Sequence, residues 1–154
     1  MAETNTVQHP ILWIHGEALG PANPVLLAHP DRPAVFVFDD ELINGAGLSL
    51  KRLGFLYECL LELPVTLRRG AVATEVLAFA RRHKADGVVT SAAVDPRFVA
   101  ICAAISAELP LVVLPLEPFV ALEAGDLKRF SRYWRRAEPL VWDQFSPPEP
   151  GPNS

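Results

Sequence analysis

Cysteine and methionine are nearly missing from this chain of 154 residues, which holds two of the first and one of the second. Cys59 and Cys102 have no second Cys or His at metal-ligand spacing, which excludes a disulfide framework and a zinc ribbon. Both fall inside apolar helical patterns and read as small buried hydrophobes. The four histidines, His9, His15, His29 and His83, form no HxxxH or HExxH, so no metal site is expected. There is no GxGxxG and no GxxxxGK[ST], hence no strong phosphate cradle. Neither a Ser/His/Asp order nor a second carboxylate at a recognisable spacing from Glu17 points to a hydrolase, and no catalytic residue is expected. Long apolar runs are lacking too. Segments such as LPLVVLPL are broken by Pro well short of the ~20 residues that span a bilayer. The opening MAETNTVQHP has neither a basic start nor an apolar stretch, so it does not read as a signal peptide, and a cytoplasmic location is expected. A net charge of −4 argues against a general nucleic-acid binder.

Half the residues are hydrophobic and about a fifth charged, the balance of one globular domain with a sizeable core. Five short apolar runs predict strands: Ile11–His15, Ala34–Asp39, Val65–Arg69, Gly87–Ser91 and Leu111–Pro115. Their near-continuous hydrophobicity suggests strands covered on both faces. Between them the period becomes helical over Ser49–Leu63, Ala71–His83 and Pro96–Leu109, with a shorter helix after Asn23. Alternation of this kind implies an α/β, Rossmann-like, doubly wound parallel sheet in three layers, with strand order 3-2-1-4-5. The expected domain covers residues 10–145. Residues 1–9 and the Pro-rich 146–154, which include PPEPGPNS, are expected to be disordered tails.

Asn23-Pro24 and Asp95-Pro96 share one device, a capping side chain before a Pro at the first helical position. One follows the first strand and the other the fourth, the two strands that flank the switch point where ligands enter open α/β sheets. His15 and Gly16 would line the first wall of that crevice, and the SAAVDP turn the second. Asp39 ends the second strand, where such folds often carry an acid for ribose hydroxyls, but Asp39-Asp40-Glu41 also reads as the start of a polar loop. Arg52 reads either as a fork for an anionic tail or as part of a polar helix face. Asp95 reads either as an acceptor for a ring N–H or as a plain helix cap.

The pieces, in order, resemble the N-terminal α/β domain of the DNA photolyase/cryptochrome family. The stretch Leu12-Trp13-Ile14-His15 through Asn23-Pro24-Val25-Leu26 is similar to the family's opening motif, and Pro33–Asp39 to its Pro-Val-Phe-Val-Phe-Asp strand. Arg52-Leu53-Gly54-Phe55-Leu56 resembles its Arg-x-x-Phe-Leu helix. Arg69-Gly70, Glu75-Val76-Leu77, Ala85-Asp86 and Asp95-Pro96 continue the likeness, and LKRFSRYWRR resembles the linker leading out of the domain. The resemblance covers residues 11 to 137 and implies an antenna-type domain without the family's helical FAD-binding domain, so catalytic FAD is not expected. Where the family has Arg-Arg-Asp this chain has His15-Gly16-Glu17, and no role of those arginines carries over. Arg97 and Phe98 stand where a folate-type pigment would be read, which removes that site. Arg52 and Asp95 match positions near a flavin-type pigment.

The stretch Asp126–Ala137 holds five of the fourteen basic residues, with Leu127, Phe130, Trp134 and Ala137 on one helical face. Phe130, Tyr133 and Trp134 are the candidate contacts for a helical protein partner or a second copy. The leading expectation is a non-catalytic module for a flavin-type or nucleotide ligand, bound by His15, Gly16, Asn23, Asp39, Arg52 and Asp95, or an accessory subunit of a photolyase-related system. The alternatives are a ligand-free interaction module, and a photolyase remnant active only in a complex.

Overall fold

Five strands form: β1 (Pro10–Ile14), β2 (Ala34–Asp39), β3 (Thr66–Gly70), β4 (Gly87–Ser91) and β5 (Leu111–Leu114), all but the more polar β3 short apolar runs. Of the five strands, the central β1, β2 and β4 are covered on both faces as expected, whereas the edge strands β3 and β5 are partly exposed. The strands alternate with α1 (Pro24–Ala28), α2 (Asp40–Asn44), α3 (Leu50–Leu61), α4 (Val72–Arg82) and α5 (Pro96–Ser106), and α6 (Phe130–Phe145) follows. The structure is a computed structural model that describes residues 7–45, 47–116 and 130–145. The expected tail at 146–154 and most of that at 1–9 lie outside the described residues. The chain comprises two compact units, Met1–Leu116, which holds the sheet, and Glu117–Ser154, which holds α6.

All strands are parallel, in the order β3-β2-β1-β4-β5, as the alternating pattern predicts. Successive residues of a strand point to opposite faces, and each face has its own core. Ile11, Trp13, Val35, Val37 and Val88 meet Val76, Phe79 and Ala80 of α4 and Ile105 of α5. Leu12, Ile14, Ala34, Phe36 and Val89 meet Val25 of α1, Leu60 of α3 and Leu63. The first two crossovers thus cover one face and the next two the other, as right-handed connections require when strand order reverses.

Two helices stop before their periodicity does. Leu63 and Leu109 precede Pro64 and Pro110, and the residue before a proline is driven out of the helical region. The helices therefore end at Leu61 and Ser106, while Leu63 still packs into the core from the loop. The acidic run after β2 is not simply a loop start. Asp39 accepts the Glu41 N–H at 2.9 Å and caps α2, whose first turn holds Asp40 and Glu41 where negative charge suits the helix dipole.

Residues 7–9 are held to the sheet end. The N–H groups of Gln8 and His9 each donate to the Asp86 carboxylate at 2.8 Å. Val7 lies where a Cβ on Gly87 would intrude, at 2.6 Å, so β4 opens on a glycine that lets this segment approach. Slight desolvation acts to raise the Asp86 pKa, but those two hydrogen bonds and the charge of His9 outweigh it and hold it below its ordinary value.

Two outcomes are expected. Ile105→Ala should lower the unfolding free energy by about 2–5 kcal/mol in urea titration, since it empties a fully buried site. Because folding depresses the Asp86 pKa, its anchoring is complete above about pH 4 and fades as pH falls through the folded-state value. Hydrogen exchange at Gln8 and His9 should accelerate over that acid range, and Asp86→Asn should remove the pH dependence.

Candidate functional site

The strand order reverses between β1 and β4, so the loops leaving them diverge to opposite faces. A crevice of about 340 Å³ opens over the carboxyl ends of β1 and β2. Trp13, Phe36, Val37 and Phe98 are among its apolar lining, with Leu53 and Leu56 on the α3 side and Val72 and Ile101 opposite. The Trp13 and Phe98 rings stack, centroids 5.6 Å apart and 20° from parallel, and His15 meets both rings edge-on. Packed on one another, the three rings form one aromatic wall of the crevice.

Five of the six sequence-derived ligand residues line this space: His15, Gly16, Asp39, Arg52 and Asp95. Asn23 does not. Its side chain is buried, accepting the Val25 and Leu26 N–H groups as the α1 cap and donating to Ala18 O at 2.7 Å, which fixes the turn instead.

The crevice walls are joined by hydrogen bonds that no single motif announces. Glu17, on the β1–α1 turn, accepts the N–H groups of Val94 and Asp95 at 2.8 and 3.0 Å, clasping the turn after β4. The Glu17 N–H donates to His15 Nδ1 at 3.3 Å, which leaves the His15 proton on Nε2, donated to Ser91 O at 2.8 Å. Ser91 Oγ also lies 3.0 Å from Nε2, but Ser91 is fully buried and Nε2 already acts as a donor. That pair is not a nucleophile with its base.

Arg97, which stands where the family resemblance places a folate-type contact, ties the crevice mouth together. Its guanidinium donates to the Asp39 carboxylate and, at 2.7 Å, to Glu41. Burial works against the Arg97 charge, but Asp39, Glu41 and Asp95 outweigh it and raise its pKa. Asp95 accepts the Arg97 N–H at 2.8 Å and caps α5. Asp39 is therefore engaged twice, and the acids of the site are largely spoken for by partners within the chain.

Arg52 is the exception. Its guanidinium lines the crevice, is exposed, and has no hydrogen-bond or ion-pair partner among the described residues. Gly16 faces open space, since a Cβ there would meet nothing within 4 Å. No group of three or more His, Cys, Asp or Glu that could hold a metal occurs among the described residues. Burial raises the Cys102 thiol, which keeps it protonated and inert. Among the described residues no helix is long and apolar enough to cross a membrane. Chemically, the crevice offers an apolar lining with one aromatic wall and the open Arg52 cation, with no activated nucleophile among the described residues.

No family model matches the sequence, and no curated protein matches it. Thirty-one chains of solved structures match by shape. One of them, hypothetical protein MJ0577, is 10% identical with a TM-score of 0.44, over 73% of this chain and 99% of that one. At that identity it says nothing of what this chain does.

Removing the Arg97 side chain leaves the buried Asp39 carboxylate without its cation. Arg97→Ala should cost about 1–2 kcal/mol, discounted from a fully buried pair because Arg97 is partly exposed. A double-mutant cycle with Asp39→Asn, read by thermal or urea unfolding, should recover most of that loss as coupling.

Proposed function

We propose that this chain is a non-catalytic binding module whose crevice takes a flavin-type or nucleotide ligand, in the manner of an antenna-type photolyase-like domain or the accessory subunit of a photolyase-related system. One observation carries the reading: a crevice with one aromatic wall at the switch point, with the unpartnered Arg52 guanidinium at its edge. A planar heteroaromatic ring buries its faces against apolar side chains there, and its phosphate or ribityl tail reaches Arg52. Asp39 and Asp95 would take part only through lone pairs left over from their caps and from Arg97. His15, its proton committed to Ser91 O, serves as a wall. Chemistry such as photolyase repair would fall to a separate FAD-binding partner.

A second reading is favoured by α6. Trp134, Leu140 and Trp142 are exposed on it, and Tyr133 is half-buried. Through the basic aromatic stretch that includes Phe130, Tyr133 and Trp134, α6 would dock a helical protein partner.

Titration of the purified chain with FMN and with AMP, followed by fluorescence quenching and calorimetry, tests the first reading. One of the two should bind, and Arg52→Ala should weaken it about tenfold or more, the usual worth of a charge-assisted hydrogen bond. Undiminished affinity in that variant removes Arg52 from the site. Silence toward both ligands shifts weight to the docking surface on α6.

A further inference from the structure

Helix α3 turns two faces to different tasks. Leu53, Leu56 and Leu60 face inward, toward the crevice and the core. A flank at roughly a right angle to them carries Leu50, Gly54, Tyr57 and Leu61, given about 100° per residue. Leu50 is 86% exposed, Tyr57 49% and Leu61 64%. Gly54 sits in the middle of the stripe, and a Cβ there would meet nothing within 4 Å, so no neighbour in the fold asks for a glycine.

The charges beside this stripe are set the wrong way round for a solitary helix. Lys51 stands in the first turn, Glu58 and Glu62 in the last turn and at the C-cap, each opposed to the helix dipole. Glu58 and Glu62 also repel each other at i, i+4. None of the three has an ion-pair partner among the described residues.

Both peculiarities resolve against a second, antiparallel copy of the same helix. The stripe is spaced four, three and four residues, which reads identically in either direction. A two-fold axis through its middle sets Leu50 against the other copy's Leu61, and Tyr57 over the other copy's Gly54, where the missing side chain admits the ring. The same axis brings like rims together, so Lys51 of one copy lies level with the gap between Glu58 and Glu62 of the other. The opposed dipoles of the two helices attract as well.

We propose that the exposed flank of α3 is a self-complementary interface through which two copies of this chain pair antiparallel. The interaction is isologous, as a closed dimer requires. One helix pair covers less than the roughly 1,600 Å² of a standard interface, so a weak dimer, in the range of tens of micromolar or looser, is expected. Arg52 points away from the stripe, and pairing leaves the crevice open.

Sedimentation equilibrium of the purified chain over a wide concentration range is the test. The wild type should show a monomer–dimer equilibrium that weakens with salt. Lys51→Glu should weaken dimerisation tenfold or more. The swap Lys51→Glu with Glu58→Lys and Glu62→Lys should restore it, and swapped chains should not pair with wild-type ones. Gly54→Leu should raise the thermal midpoint of the dilute monomer, since a glycine leaves the helix interior, and yet abolish the dimer. A chain that stays monomeric at several hundred micromolar overturns the proposal. So does a dimer indifferent to Lys51→Glu and Gly54→Leu together, and so does a monomer whose uncharged Leu61→Gln variant melts several degrees lower, the mark of a stripe covered from within the chain.

Discussion

The parallel pairing of β1 with β4 is the constraint from which the rest follows. Leu12 lies beside Val89 and Trp13 beside Thr90, and the Thr90 hydroxyl closes the pair by donating to Trp13 O at 2.8 Å. These residues stand 77 positions apart in the chain, so closing that loop costs entropy that only the paired, fully buried strands offset. Because β1 connects outward to β2 and β4 to β5, the loops leaving this pair diverge. A crevice at their carboxyl ends is the geometric consequence, whatever its occupant.

The crevice is kept in shape by acids rather than filled by them. Glu17 gives its carboxylate to two backbone N–H groups of the facing turn, Asp39 caps α2 and receives Arg97, and Asp95 caps α5. A site rich in carboxylates thus presents little uncommitted negative charge. Among the described residues, the Arg52 cation at the edge of the crevice remains open.

Much of the architecture was legible because its signals are local. Val, Ile and Phe runs of strand length, switches to helical period, and the Asn23-Pro24 and Asp95-Pro96 caps predict β2 and β4 to the residue and the strand order as observed. What escaped was local chemistry with two readings. Asp39-Asp40-Glu41 reads equally as a polar loop or as a cap with an acidic first turn, and the structure chose α2. Leu63 and Leu109 belong to the helical period but stand before prolines, which end α3 and α5 early. In the crevice, His15, Gly16, Asp39, Arg52 and Asp95 were brought together as their places after β1, β2 and β4 and on α3 implied. Arg97 and Glu17 were not foreseen in their roles. Their partners are 56 to 78 positions away, and no spacing in the sequence records such a pairing.

By itself, then, the order of residues determined the layered α/β fold, the direction of its strands and the two capped turns that frame the crevice, since periodicity, capping and chain connectivity act between near neighbours. Tertiary structure alone decided which polar groups were consumed within the chain and which were left over. Nothing in the sequence tells which of Glu17, Asp39 and Arg52 is spent within the chain, and only the fold brought the Val94 and Asp95 N–H groups to Glu17 and the Arg97 guanidinium to Asp39 while Arg52 stayed open. Hydrogen-bond satisfaction is a property of atoms brought within 3 Å or so of each other, and that distance is set by the fold.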